Sequence, residues 1–412
     1  MMKRTLTVIL AVFMLLSVLP MSVSAAERVT RTTGLYLDKD PMFAQDCANE
    51  SEGWSWDYDT KTLTLDNCRI EAGEQNAVNL TDDSVVTFVL IGENYMSSYG
   101  DDDDGNKVIC REFGSGLKIT GEGSLTVEAL GSDDAIDVTS LEVESGTLKV
   151  LNGMVWALNR VTVKGGRLEI DVLNAADDGS GVGDDCIYGD GVVEISGGEV
   201  VLKAQRAGIF IDGWIDPTPN GLVITGGDVY MEGGTCAAWI GYDGKKKVTI
   251  DTTGSLTIDN STIGIYSGNG HIEVLKGTIN NPANLERDML FRDPDNDVMY
   301  APADYSAVDA ALAKVPADLT KYTEESAAAV QAAIDAVDKE LDILDQAKVD
   351  EYAKAIETAL EGLEESGFFA QVKAFFENLF NGESDSTVLD WLKRIFNIIV
   401  EFFTGFFNGL VC

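Results

Sequence analysis

The sequence contains few basic residues and almost no histidine. Its 412 residues include 30 Lys and Arg against 69 Asp and Glu, a formal net charge of -39. This charge argues against a nucleic-acid partner, because phosphate binding requires a basic surface. The only histidine is His271, and the sequence contains no CxxC motif that could supply further zinc ligands, which argues against a zinc site. The sequence also shows no nucleophile elbow, no Ser-His-Asp arrangement and no phosphate-binding loop.

The first residues have the pattern of a secretory signal peptide. Lys3 and Arg4 precede an apolar run over residues 6–19, and small residues at 22–26 offer a cleavage site. We therefore expect residues 1–26 to be a signal peptide and the protein to be secreted or held at the cell surface. An uncleaved anchor is the alternative.

A short pattern recurs through the middle of the chain. Each copy has alternating apolar positions, a turn with one or two glycines, and more alternating positions, which is typical of strand-turn-strand units. The clear copies lie at 141–150, 161–170, 193–202 and 222–231, with weaker ones at 117–127, 248–258 and 272–279. Units that return at intervals of about 20 to 32 residues indicate a repeat architecture.

Another short apolar run precedes each copy and predicts a third strand per unit. We take these central residues as equivalent: Val78, Ile109, Ile136, Trp156, Ile187, Ile209, Trp239 and Ile265. Three short strands make one coil that must stack on the next to bury its apolar face. We predict a mainly β fold, a right-handed parallel β-helix over residues 27–290, with residues 34–56 as its cap. A β-sandwich and a long antiparallel array remain alternatives.

The cysteines fit this scheme as small residues. Cys110, Cys186 and Cys236 flank the predicted first strand of a coil, where we expect them in the interior. In an exported protein, Cys47 and Cys68 are the pair to consider for a disulfide.

In the remaining chain the spacing of apolar residues changes from every second position to every third or fourth. Residues 291–303, with several Asp and Pro, are predicted to be a linker, and 304–366 a three-helix module. Residues 367–412 predict two amphipathic helices. Their aromatic faces, over 368–408, could pack within the protein, bind a membrane surface or mediate self-association.

Aspartates concentrate in the predicted corner loops, where carboxylates and carbonyls could bind calcium. Two Asp-Asp pairs occupy the same position in their coils, which indicates calcium; the alternative is that they are turn residues on the surface. The candidate ligands are Asp101, Asp103, Asp133, Asp134, Asp184, Asp185 and Asp190.

Aromatic residues lie in or just after the predicted first strands, namely Trp156, Tyr188, Phe210, Trp214, Trp239 and Tyr242. Sugar rings present apolar C–H faces that stack on flat aromatic rings. The candidate carbohydrate-binding residues are Tyr188, Trp214, Trp239, Tyr242 and Arg206. The alternative, for Trp156 and Trp239 in particular, is that they fill the interior.

The stretch from Asp184 to Leu202 resembles the coil unit of a family of clostridial cell-surface parallel β-helix proteins that bind calcium and acidic polysaccharide. That unit runs Asp-Asp-Gly-Ile-His-Ala-Asp-Gly, strand, Gly-Gly, strand; here Cys186 replaces its Gly and Tyr188 its His. The resemblance implies calcium and a polysaccharide partner such as a pectin-like chain. Residues 306–363 resemble the FIVAR helical module of Gram-positive surface proteins, and the motif that carries this resemblance is Lys321-Tyr-Thr-Glu-Glu-Ser326.

These observations favour a noncatalytic carbohydrate-binding surface protein. One alternative is a structural or adhesive solenoid without a glycan ligand. A polysaccharide lyase is another; it needs calcium and a basic residue, for which Arg111, Arg160 and Arg206 are candidates. An inverting glycosidase fits less well, because the adjacent Asp184 and Asp185 point to opposite faces of a strand.

Overall fold

The structure is a computed structural model that describes residues 28–37, 39–81, 84–99, 107–111, 114–131, 134–175, 185–213, 219–241, 245–268 and 270–367, together with Arg394, Ile395 and Ile398. The chain forms two compact units that divide between Ala301 and Pro302. Within the described ranges, no helix is long and apolar enough to cross a membrane. The predicted signal peptide and nearly all of the predicted tail helices lie outside these ranges.

The first unit is built almost entirely from strands. In chain order they are β1 (Leu35–Tyr36), β2 (Cys47–Asn49), β3 (Trp54–Asp57), β4 (Thr62–Asp66), β5 (Arg69–Glu71), β6 (Val78–Asn79), β7 (Val85–Ile91), β8 (Glu93–Ser98), β9 (Ile109–Cys110), β10 (Gly116–Gly121), β11 (Ser124–Ala129), β12 (Asp134–Val143), β13 (Thr147–Leu151), β14 (Met154–Val163), β15 (Arg167–Asp171), β16 (Ile187–Gly189), β17 (Val192–Ala204), β18 (Ala207–Ile211), β19 (Asn220–Gly233), β20 (Cys236–Ile240), β21 (Lys247–Asp259), β22 (Ile263–Ser267), β23 (Ile272–Asn280), β24 (Phe291–Arg292) and β25 (Val298–Tyr300).

These strands form a parallel β-solenoid of roughly eight turns, which confirms the predicted fold class. The short strands from β1 through β24, with the first halves of β12 and β14, pair into a first sheet. A second sheet runs from β4 through β7 and β10 to β25. A third sheet runs from β5 through β8 and β11 to the second half of β23.

Alternation along each strand fills the interior with stacked aliphatic side chains. One row comes from each sheet, and every member of these rows is at most 1% exposed. The row of the second sheet is Leu63, Phe88, Ile119, Val143, Val163, Ile195, Ile224, Ile250 and Val274; that of the third is Ile70, Met96, Val127, Val150, Ile170, Leu202, Met231 and Ile258. Burial of each such side chain contributes about 1.5 to 3 kcal/mol.

The predicted equivalence of the first-sheet residues is confirmed at six of its eight positions and is off by one residue at two. Val155, not Trp156, aligns with Ile187, and Ala238, not Trp239, aligns with Ile209. In both strands an apolar neighbour precedes the tryptophan, so hydrophobicity alone does not fix the register. The smaller residue of each pair fits the closely packed interior, and the indole faces outward.

Glycines stack at the corner between the second and third sheets. Gly146, Gly166, Gly198 and Gly227 all have positive φ angles between 66° and 79°. A Cβ atom on Gly166 would lie 2.3 Å from the carbonyl oxygen of Gly146, and one on Gly198 2.5 Å from that of Gly166. Both the conformation and the spacing therefore require glycine. This is why the Gly-Gly pattern marks the coils in the sequence.

An antiparallel segment follows β1 near the start of the unit, in the region of the predicted cap. β2 pairs with β3 and β3 with β4, and only then does β4 join the parallel second sheet. Phe43 packs against Trp54 and Trp56, and the indole N–H of Trp56 donates to the carbonyl of Phe43 at 2.9 Å.

The end of the unit differs from the predicted linker. A short helix, α1 (Arg287–Leu290), precedes β24 and β25, which pair with β22 and β23 and so extend the solenoid. The Asp-rich sequence between them forms a turn, in which Asp293 Oδ1 accepts from the N–H groups of Asp295 and Asp297.

The second unit contains three helices, α2 (Ser306–Leu312), α3 (Glu324–Asp335) and α4 (Gln346–Glu361), with 3₁₀ turns at Leu319–Lys321 and Ile343–Asp345. Thr323 caps α3, as its side chain accepts from the N–H of Ser326. The buried core consists of Ala303, Val308, Ala311, Val349, Ala353 and Ile356. These helices agree with the predicted module, and its resemblance to FIVAR stays a prediction.

Candidate functional site

A row of aromatic side chains crosses the outward face of the first sheet. Each of its five residues pairs in register with the next, on five consecutive coils. We call this row the aromatic ladder; it consists of Trp156, Tyr188, Phe210, Trp239 and Tyr266.

Strand alternation explains why the ladder faces outward. Each ladder residue directly follows a member of the buried inner row, such as Ile187 before Tyr188, and neighbouring residues of a strand point to opposite faces. Phe210, at the centre of the ladder, is 9% exposed, and the other four rings are partly exposed. The ladder is therefore a surface feature with a well-packed middle.

The ladder rings contact one another in sequence. The Tyr188 and Phe210 rings are parallel within 5° with centroids 5.4 Å apart. Trp156 is turned by 81° from Tyr188 at 5.7 Å, and Trp239 by 35° from Phe210 at 6.1 Å. Trp239 and Tyr266 follow at 4.8 Å and 55°. The two indoles are thus tilted away from the central stack instead of continuing it.

Polar residues occupy the same position at both ends of the ladder. Asp137 pairs in register with Trp156, and its Oδ1 lies 2.9 Å from Arg111 Nε. Burial raises the pKa of Asp137, and the charge of Arg111 opposes that shift. At the other end the exposed Arg292 follows Tyr266. The aromatic surface therefore has a defined length of five coils.

Arg206 lies along one edge of the ladder. Its guanidinium carbon is 4.7 Å from the centroid of Phe210, within the range of a cation–π contact. The guanidinium also forms an ion pair with Asp185: Arg206 Nε donates to Asp185 Oδ1 at 3.0 Å, and Nη2 contacts Oδ2. The same Oδ1 accepts from the N–H of Ala207 at 3.0 Å. The Asp185 side chain is fully buried, whereas that of Arg206 is 31% exposed.

Two carboxylates lie along the opposite edge. Asp190 and Asp212 each come two residues after a ladder ring, Tyr188 and Phe210, at equivalent positions of neighbouring coils. Both are partly exposed. Burial raises the pKa of Tyr188, and the nearby charges of Asp212, Asp190 and Asp185 raise it further. The ladder thus has a hydrogen-bond donor on one edge and acceptors on the other.

A family described as carbohydrate-binding domain-containing proteins matches residues 55–284, more than half of the chain. The chain belongs to this family. The match spans all five rungs of the ladder and its two edges. No curated protein and no solved structure matches the chain.

The carbohydrate-binding domain brings together three of the predicted sugar-binding residues. Tyr188 and Trp239 are rungs of the ladder, and Arg206 lies at its edge, over the rung between them. Trp214 and Tyr242 lie outside the described residues. Sequence reasoning missed Tyr266, and it noticed Trp156 and Phe210 without choosing them. The available signal was the aromatic residue that recurs one place after the inner aliphatic residue in five coils.

The predicted calcium ligands of the carbohydrate-binding domain are less concentrated. Asp134 contacts Lys107, and Asp185 contacts Arg206. Ile136 and Ile187, which follow them by two residues, both pair with Val155, so one coil separates the two aspartates. Two strand spacings amount to about 10 Å, so one ion does not bridge them.

Among the described residues, no group of three or more His, Cys, Asp and Glu side chains could hold a metal ion. Asp101, Asp103, Asp133 and Asp184 lie outside those residues. Calcium binding therefore stays a prediction. Cys47 and Cys68, considered for a disulfide, are free thiols, and Cys186 and Cys236 are buried as expected. The expectation for Cys110 is wrong: it is partly exposed, because it follows the inner residue Ile109 and pairs with the outward Asp137.

Proposed function

We propose that the protein is an exported, noncatalytic carbohydrate-binding protein of the cell surface, and that its aromatic ladder binds a polysaccharide. The ladder itself carries this proposal. Five rings in one row, four of them partly exposed, with Arg206 on one edge and Asp190 and Asp212 on the other, offer apolar contact for sugar C–H faces and polar partners for hydroxyl groups. Family membership supports a carbohydrate as the ligand.

The surface charge bears on which polysaccharides bind. Asp190 and Asp212 border the ladder directly, and the whole chain carries a net charge of -39. An acidic chain such as a pectin would be repelled unless a cation lay between the two sets of carboxylates. The proposal therefore includes calcium as a bridging ion for acidic polysaccharides, whereas a neutral chain needs no cation.

Ion pairing of the nearby arginines supports the noncatalytic part of the proposal. A lyase needs a basic group that can take a proton from the substrate. Arg111 is paired with Asp137, Arg160 with Glu194, and Arg206 with Asp185. In these ion pairs the three guanidiniums act as donors to carboxylates, a role that suits binding.

The ring contacts favour a second candidate, a structural solenoid. Parallel rings 5.4 Å apart on adjacent coils also stabilise the stack of coils. In this reading the ladder contributes only stability, and the protein acts as a surface spacer or adhesin.

Calorimetric titration of the full chain distinguishes these candidates. The probes are polygalacturonate and a neutral soluble glucan, each in calcium and in EDTA. We expect the neutral glucan to bind in both solutions and polygalacturonate only in calcium, without unsaturated products. Unsaturated ends would identify a lyase. If neither glycan bound, the result would overturn the proposal in favour of the structural solenoid.

A further inference from the structure

We infer that the aromatic ladder binds the interior of an unbranched polysaccharide chain that runs along the solenoid axis, with successive sugars against successive coils. This inference rests on the proposed function and adds the orientation, the length and the unbranched character of the ligand.

The direction of the ladder provides the first argument. Its rungs lie on neighbouring parallel strands, so the row runs across the strands and along the axis of the solenoid. The rungs repeat at the strand spacing, about 4.8 Å. A sugar in an extended polysaccharide advances by a similar distance. A chain along the axis can therefore place one ring against each rung, whereas a chain along a strand meets only one aromatic residue.

The two edges provide the second argument. Arg206 stands beside Phe210 on one side, and Asp190 and Asp212 stand beside the rungs Tyr188 and Phe210 on the other. The described polar side chains thus border the long sides of the central rungs. A linear chain lies between them with its hydroxyl groups directed at both edges. A branch on the central sugars would meet these side chains.

The ends of the ladder set the length of the site. The row changes from aromatic to charged at Asp137, before Trp156, and at Arg292, after Tyr266. The five rungs between them span about 19 Å. Within the part of the chain that the structure describes, the positions beyond both ends of the row, Asp137 and Arg292, lie in strands and form no closed pocket for a chain end. The site therefore fits an internal segment of about five sugars.

A length series tests the inference with the full chain. The probes are cello-oligosaccharides from the disaccharide to the octasaccharide, and oligogalacturonides of the same lengths in calcium. We expect the affinity to rise with each added sugar and to level off at about five. Two end variants, Trp156→Ala and Tyr266→Ala, should each weaken hexasaccharide binding about fivefold or more. They should leave the trisaccharide nearly unchanged, since it can bind the remaining rungs.

The variant Tyr230→Ala is the matched control, because Tyr230 faces outward on the third sheet. This substitution should leave the affinity for every probe unchanged. Equal affinity for the disaccharide and the octasaccharide would overturn the inference and leave the proposed function intact. If both end variants lost as much affinity for the trisaccharide as for the hexasaccharide, that result would also overturn the inference. Absence of binding for every probe would overturn both, which separates the two failures.

Discussion

Tyr188 and Phe210 lie on neighbouring coils with their rings parallel within 5° and their centroids 5.4 Å apart. This stack is the centre of the aromatic ladder, and Arg206 completes it on one edge. Because Phe210 is buried while the tryptophans on either side of the pair are partly exposed, we expect Phe210 and the tryptophans to respond differently to mutation.

Phe210→Ala should reduce the free energy of unfolding by about 2 to 4 kcal/mol, because it removes a largely buried ring together with its contacts to Tyr188 and Trp239. Phe210→Leu keeps most of the apolar volume and should cost about 1 kcal/mol. Urea unfolding measures both. Equal losses in the two variants would contradict the stacking interpretation.

The ion pair between Asp185 and Arg206 should respond asymmetrically. Arg206→Met leaves the fully buried Asp185 carboxylate without the guanidinium and should cost about 3 to 5 kcal/mol. Asp185→Asn should cost less, about 1 to 3 kcal/mol, since water partly screens Arg206 and the new amide oxygen can still accept from Ala207. The double variant should lose less than the sum of the two. Strict additivity in a denaturation cycle would show that the residues do not interact.

The glycine corner allows steric contact to be separated from backbone strain. Gly166→Ala introduces both a positive φ for alanine and a Cβ atom 2.3 Å from the oxygen of Gly146. Gly73 has a similar φ of 60° and nothing within 4 Å of its added Cβ. We expect Gly73→Ala to cost about 1 to 2 kcal/mol and Gly166→Ala about 3 kcal/mol or more. A similar loss of stability in the two variants would show that the coils move apart without cost.

The buried thiols should make the protein less stable at high pH. Burial raises the pKa of Cys236 from 9.0 to about 12. Below pH 9 the thiol is protonated in both states, so it adds no pH dependence. Between pH 9 and 12 only the unfolded chain releases the proton, and stability falls by about 1.4 kcal/mol per pH unit.

Cys236→Ala and Cys236→Ser should both remove this contribution. We expect the loss of stability between pH 8 and 10.5 to be about 2 kcal/mol smaller in either variant than in the wild type. The two replacements differ in polarity but share the missing thiol, so each is the control for the other. An unchanged pH dependence in both would contradict the assignment.

The sequence predicts the solenoid because each coil repeats the same physical requirements. The alternating residues at 193–202 must have an inward and an outward side, and the glycines between them must turn the corner. It does not predict the register at Trp156 and Trp239, where two adjacent residues are both apolar. That choice depends on how much volume the stacked interior offers, which only the neighbouring coils determine.

The same ambiguity concealed the ladder. Once Val155 and Ala238 occupy the interior, the tryptophans fall into line with Tyr188, Phe210 and Tyr266 on the outside. For the aspartates, the sequence does predict the shared coil position. It does not predict that Asp134 and Asp185 form ion pairs with Lys107 and Arg206, because these partners lie on neighbouring coils and are distant in sequence.

The most direct test of the central claim compares glycan binding by the wild type and by the double variant Trp156→Ala/Trp239→Ala. The titration uses whichever glycan of the calorimetric series binds the wild type, with Tyr230→Ala as the control. If the ladder is the binding surface, the double variant should lose at least about tenfold in affinity while Tyr230→Ala binds normally and both unfold cooperatively. Unchanged affinity in a folded double variant would contradict the account and place any glycan site elsewhere.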